Sequence, residues 1–253
     1  MKFDIQKADL WKRISAWLFD TIIAFILVVG IAFLLSAALD YDSHFETIER
    51  IKNEVVEKYD IDINLSEEDI DALPEEEQKK YDDAEKEYGT NPDVIYANKM
   101  MIMLMLVIVT VSTLVTIIIV ELIVPIVLKH GRTLGKRIFG LAVIRTNGVK
   151  ISGQALFIRT LIGKYTLEIM APAYILLLSV AGMLGIMGII LDVVILLLQI
   201  FSIARSSYRS TIHDLVSDTV VVDFNSQMIF ASEEELIAYK TRIHAEEANK
   251  KEY

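Results

Sequence analysis

The chain has no cysteine, and only four histidines and four prolines. Without cysteine there is no disulfide framework, no thiolate-ligated metal and no thiol nucleophile. The histidines (His44, His130, His213 and His244) are scattered and show no ligand spacing such as HExxH. A zinc enzyme is therefore not expected, and neither a metal nor a cofactor is called for. No nucleophile–base pair stands out, so an enzyme is the weakest of the functional readings. A phosphate loop is missing too. Gly131-Arg-Thr-Leu-Gly-Lys-Arg137 lacks the GxxxxGK[ST] spacing and follows no strand.

Charge is missing from long stretches. The sequence is 53 % hydrophobic with a mean hydropathy of +0.43, more apolar than a soluble domain of 253 residues would be. Ile14 to Leu39 holds one charge, Asp20. At about 1.5 Å rise per residue that run is long enough to cross a hydrocarbon core of about 30 Å. A cleaved leader ending at Ser36-Ala37-Ala38 is the rival reading, but the run exceeds an h-region of about 7–15 residues and has Asp20 inside it. Met100 to Leu128 is a second span with Glu121 as its single charge. A third is expected from about Tyr165 to Val180, with Glu168 and Pro172, after an amphipathic interfacial piece at Gln154–Lys164. Glycines 182, 185 and 188 mark a turn, and a fourth span follows from about Gly185 to Ala204 with Asp192 inside it.

The net charge of −10 belongs to one segment. Residues 40–99 hold 20 acids against 7 bases, net −13, while the rest is +3. Nothing in that distribution resembles a nucleic-acid footprint. Within 40–99, Ile48, Ile51, Val55, Val56 and Tyr59 form a stripe at helical spacing. Ser66-Glu-Glu-Asp69 reads as a helix cap, and Pro74 before Glu75-Glu-Glu77 as a helix start. The acids form either a solvated face or a cation-gathering vestibule. Residues 129–153 are basic, with no acid at all. There Ile138 to Arg145 reads as a strand, Asn147-Gly148 as a hairpin turn with Val149-Lys-Ile151 returning, and Thr219 to Phe224 as a further strand able to join. Ser232-Glu-Glu-Glu235 caps a polar C-terminal helix.

The expected fold class is thus an all-α membrane protein. It has four transmembrane helices, a small helical extracytoplasmic insert and a short cytoplasmic β-hairpin or strand element. The expected divisions are 1–39, 40–99, 100–128, 129–164, 165–204 and 205–253. Bases cluster at 2–13, 129–150 and 205–209, so the positive-inside rule places both termini in the cytoplasm of a cell bounded by the plasma membrane. Trp11 and Trp17 are positioned to anchor the interface.

Acids inside a membrane span are functional-site candidates by default. Asp20 lies seven residues after Arg13, nearly two helical turns, on the same face. Asp20, Glu121 and Glu168 fall at similar depth in the inner half, with Arg13, Arg159, Lys164 and Asp214 below them and Asp192 nearer the middle. Glu121-Leu-Ile-Val-Pro125 and Glu168-Ile-Met-Ala-Pro172 share one pattern. Proline cannot donate to the carbonyl four residues earlier, which in each case is that of the glutamate. A carboxylate beside a loosened carbonyl suits a sodium or proton site in a broken helix, and an ordinary proline kink gives the same pattern. Asp20 is either a structural partner of Arg13 or of a neighbouring span, or an acid whose pKa, raised by desolvation and lowered by Arg13, lets it exchange a proton for a cation. Gly185, Gly188, Asp192 and Gln199 share a face that serves either close helix packing or an ion pathway.

Three segments then carry a resemblance. Lys12-Arg13 with Asp20, Thr133-Leu-Gly-Lys-Arg-Ile-Phe-Gly-Leu-Ala-Val143, and His213-Asp-Leu-Val-Ser-Asp-Thr-Val-Val-Val222 resemble the RDD membrane-protein family, named for one arginine and two aspartates. By position these are Arg13, Asp20 and Asp214. The resemblance covers roughly residues 8–39 and 100–224. It implies transport, with monovalent cation/proton antiport in some members, and an adaptor role in others. The expectation is a bacterial-type secondary transporter of monovalent cations or protons in the lipid bilayer, assembled as a homo-oligomer because four spans are few for an enclosed path. Asp20, Glu121, Glu168 and Asp192 would carry the ion or proton, with Arg13, Arg159 and Asp214 as charge partners: Arg13 would tune Asp20, and Asp214 would cap or pair with Arg13 on the cytoplasmic face. The alternative is a membrane-embedded scaffold whose acidic insert binds a partner or envelope component.

Overall fold

The computed structural model describes residues 5–62, 65–206 and 210–251. Lys2 and Arg209 of the basic clusters lie outside the described residues. Among the described residues, four helices have the length and apolarity to cross a membrane: α1 (Leu10–Ala38), α5 (Pro92–Leu128), α7 (Gly153–Val180) and α8 (Gly185–Arg205). They define an all-α membrane protein with a small two-stranded sheet. The chain divides into two compact units, Met1–Leu27 with Thr113–Tyr253, and Val28–Ser112.

The second unit contains the acidic insert, built of α2 (Tyr41–Tyr59), α3 (Glu67–Asp71) and α4 (Glu75–Thr90). The apolar stripe of α2 makes its core: Ile51 and Val55 pack with Ala84 and Val94, flanked by Tyr59, Ile61 and Tyr88. Ser66 caps α3 in a reciprocal capping box with Asp69. Helix α5 opens at Pro92, several residues before the apolar run expected from Met100. Proline is tolerated in a first turn, where its missing N–H would have no helical partner.

The first unit is organised on the sheet. Strand β1 (Leu141–Arg145) pairs antiparallel with β2 (Thr219–Asp223), Val143 opposite Val221. Successive side chains alternate between faces. Leu141, Val143 and Val221 pack with Ala8, Ala16, Ile151 and Leu156, and Leu122 of α5 joins them. Ala142, Ile144, Val220 and Val222 pack on the other face with Ile5. Burial on both faces explains the unbroken apolar runs in place of alternation, and each such fully buried Val or Leu side chain contributes about 1.5–3 kcal/mol. The Asn147-Gly148 turn forms, with Arg145 N donating to Val149 O at 2.9 Å, but the return is a single bridge, Ile144 to Lys150. The expected strand start at Ile138 is helical instead, in α6 (Leu134–Ile138). Helix α9 (Ile212–Val216) precedes β2, and α10 (Glu233–Lys251) packs Leu236 and Tyr239 against Val149 and Phe230.

Two departures concern the spans. The interfacial piece at Gln154–Lys164 and the span from Tyr165 are one helix, α7. Its segment Ile158–Met170 is π-helical, as is Ile118–Ile123 of α5. Arg159 and Lys164 had suggested an interface, but protein carboxylates receive them, so the helix has no need to end in water. The turn between α7 and α8 carries Gly182 and Gly185 with positive φ of 77° and 52°.

A charge-balanced candidate site

The first unit gathers Asp20, Glu121, Glu168 and Asp214 with four bases, Arg13, Lys136, Arg159 and Lys164. The gathering depends on two glycines. A Cβ on Gly135 would stand 2.3 Å from the Ala16 carbonyl oxygen and 3.0 Å from the Asp20 carboxylate. One on Gly163 would stand 2.6 Å from the Cβ of His213. Helix α6 therefore reaches α1, and α9 reaches α7, at backbone-contact distance.

Around Glu121 the arrangement is built from α1, α5, α6 and α7. Thr133 caps α6, accepting from Lys136 N at 3.3 Å, and its hydroxyl donates to Asp20 Oδ2 at 2.5 Å. The Gly135 amide donates to Asp20 Oδ1 at 2.7 Å. Lys136 folds back, its Nζ 3.3 Å from Thr133 Oγ1 and 3.7 Å from Glu121 Oε2. The Lys164 ammonium binds Glu121 Oε1. The Glu121 carbonyl, which Pro125 cannot serve, accepts from the Thr160 hydroxyl at 2.9 Å. Burial lowers the Lys136 pKa to about 8, with the Glu121 carboxylate opposing and Lys164 and Arg159 adding to the fall.

Around Asp214 the donors are different. Arg159 grips Asp214 Oδ1 through NH2 at 2.7 Å and Nε at 3.3 Å, and Arg13 NH2 lies 3.6 Å from Oδ2. Thr211 closes a capping box on the same carboxylate. Burial pushes the Asp214 carboxyl up, but Arg159, with His213, Arg13 and Thr211, more than reverses this and holds it below the usual carboxylate range. His213 Nδ1 lies 2.8 Å from both Glu168 carboxylate oxygens, and its backbone N–H donates to Oε1 at 3.0 Å. An ionised carboxylate only accepts, so Nδ1 carries the proton and Nε2 faces Thr211 Oγ1 at 2.9 Å. Burial and the nearby Arg159 depress the His213 pKa, against the pull of Asp214 and Glu168, so the ring is neutral at pH 7.

Arg13, for which the sequence offered both Asp20 and Asp214, is thus placed against Asp214, and Asp20 is bound by a hydroxyl and a backbone amide. Glu168 joins the Asp214 group through His213, whereas Asp20 and Glu121 are linked through Thr133 and Lys136. Asp192 lies in neither group. Its Oδ1 is buried with no hydrogen-bond partner among the described residues, on the α8 face where Gly188 packs against Ser179. Sequence reasoning missed Lys136, Thr133 and His213 as members. The available signal was their position inside the two RDD-like motifs. No cluster of His, Asp or Glu suited to a metal occurs among the described residues.

Four long apolar helices with a buried, charge-balanced network define a polytopic α-helical membrane protein. The model of the RDD family matches residues 7–218, and the chain belongs to that family. No curated protein and no solved structure matches it.

Proposed function

We propose that the protein is a secondary transporter exchanging a monovalent cation for a proton, with Glu121 as the ion-binding carboxylate. The observation that supports this reading is the identity of its partners. Both oxygens of Glu121 face lysine ammoniums, which can lose a proton, whereas Asp214 is gripped by guanidiniums, which cannot. Deprotonation of Lys136 near pH 8 releases one positive charge. A monovalent cation entering beside Glu121 Oε2 and Thr133 Oγ1 replaces that charge, so the network stays neutral and one cation moves for each proton. Asp20 assists through Thr133, and Asp192 extends the route along α8. Glu168, expected from the sequence to carry the ion, is instead held in the Asp214 group through His213 and takes no part in the exchange. The basic segments orient this end toward the cytoplasm of a bacterial cell, in the plasma membrane, and the path is completed in a homo-oligomer.

Purified protein in vesicles, with a pH-sensitive dye inside, is expected to show proton flux when a sodium, potassium or lithium gradient is imposed. Glu121→Gln should abolish the flux while the protein stays folded. Wild-type vesicles without flux for any of the three cations would defeat the reading.

A second reading draws on the insert, which folds around its own core and carries the chain's acidity. In that case the protein is a membrane scaffold whose insert binds a partner. Removing residues 43–96 leaves exchange intact if the first reading is right.

A further inference from the structure

The buried network is balanced, but the loop that ends α5 is not. Lys129, His130 and Gly131 follow Leu128 directly, and all three are left-handed, with φ of 60°, 52° and 62°. Two of them are not glycine, so the Cβ opposes that conformation. The turn sends Arg132 back over the sheet. Its guanidinium carbon lies 4.3 Å from the Phe224 ring centroid, and NH2 donates to the Leu128 carbonyl at 3.3 Å. The charged groups facing His130 are Arg132, Lys150 and Lys129, and the one facing Arg132 is Arg137. All are bases, and residues 129–153 contain no acid. Among the described residues none of Lys129, Arg132, Arg137 and Lys150 has a carboxylate partner, whereas Arg13, Lys136, Arg159 and Lys164 each have one. Burial and these like charges depress His130 and Arg132 together.

Uncompensated positive charge gathered at a turn calls for an anion. The location specifies which kind. The loop begins where a membrane-spanning helix ends, which is the depth of the lipid phosphates. Ile126 and Val127 before it, and Leu134 and Ile138 after it, are exposed apolar side chains suited to acyl chains. We propose that Lys129, Arg132, Arg137 and Lys150 form a binding site for the phosphate of an anionic phospholipid. Free phosphate offers the same group without the apolar tail. The site is separate from the Glu121 network and does not depend on its role in exchange.

The test is native mass spectrometry of the full chain in detergent, with phosphatidylglycerol and phosphatidylcholine supplied in equal amounts. The wild type is expected to retain phosphatidylglycerol preferentially. Lys129→Gln, at an exposed position, should lower the preference about fivefold. Lys129→Gln with Lys150→Gln should lower it further, and Lys79→Gln with Lys80→Gln on the insert should leave it unchanged. Proton exchange, where present, should be unaffected by Lys129→Gln. Equal retention of the two lipids, or a preference untouched by the loop variants, overturns the proposal. Displacement of phosphatidylglycerol by equimolar inorganic phosphate assigns the site to free phosphate and overturns the lipid.

Discussion

Asp214 and Glu121 are both buried carboxylates in one unit, each facing two basic side chains, and they differ in what holds them. Asp214 is fully enclosed, with Arg159 at 2.7 Å, Arg13 at 3.6 Å and a capping box on the same oxygens. A guanidinium keeps its proton at any accessible pH, so this group can only be intact or broken. Glu121 faces Lys136 and Lys164, single ammoniums on flexible stems, one of them already poised near pH 8. The same Coulomb attraction therefore fixes one carboxylate and gives the other a partner able to release its proton, and the proposed exchange rests on that difference. Local backbone follows the division. Asp214 caps the helix that feeds β2, whereas Glu121 sits in a π-helical turn of α5. Such turns occur often at functional sites.

The comparison can be broken most forcefully at Asp214. Asp214→Asn removes the carboxylate charge that faces Arg159, whose guanidinium cannot neutralise, and should cost about 3–5 kcal/mol, seen as a large fall in melting temperature or loss of folded protein in detergent. Glu121→Gln should cost much less, because the buried Lys136 can shed its proton. Equal losses for the two variants would erase the distinction.

Gly163→Ala is expected to be next in size. The new Cβ would meet the Cβ and Cα of His213 at 2.6 and 2.7 Å, forcing α9 away from α7. A penalty of about 1–3 kcal/mol should appear in thermal unfolding, the range for overpacking a tight contact. A neutral result would mean that α9 is not pressed on α7.

The smallest effect lies in the acid limb of the pH–stability profile. The folded-state pKa of His213 lies below its ordinary 6.5, so its contribution is complete above that value and is lost as pH falls through it toward the folded value. Asp214 is also depressed, so its contribution is complete above 3.8 and is lost at still lower pH. Melting temperature should thus decline in two stages on acidification, and His213→Gln should remove the first. A single stage in both proteins would count against a neutral, buried His213.

Much of this was legible in the sequence. The four apolar runs, the two strands and the RDD resemblance each rest on local patterns, and those patterns survive folding. The acids inside the spans were legible as well, because a carboxylate in a hydrophobic run is conspicuous. Which base each acid meets was not. Thr133 meets Asp20 across 113 residues and Arg159 meets Asp214 across 55, and no local period encodes such pairings. Arg13 illustrates the limit, since helical spacing offered it Asp20, the charges at the cytoplasmic end offered it Asp214, and the fold sets it against Asp214. The extent of α7 was hidden for the same reason. Arg159, Thr160 and Lys164 read as interfacial until their distant partners are known. The Glu-x-x-x-Pro pattern signalled a loosened carbonyl but not its new donor, Thr160, nor the widening of the helix around it.

The central claim is that a proton lost by lysine drives exchange at Glu121. Lys136→Arg tests it most directly, since it keeps the positive charge and removes the ability to release a proton. Cation-driven proton flux should be measured in vesicles of wild type and Lys136→Arg at matched folded protein. The account predicts robust flux in the wild type and at least about a tenfold loss in the variant, the change expected when the exchanging proton is locked in place. Flux at the wild-type rate in Lys136→Arg would contradict it.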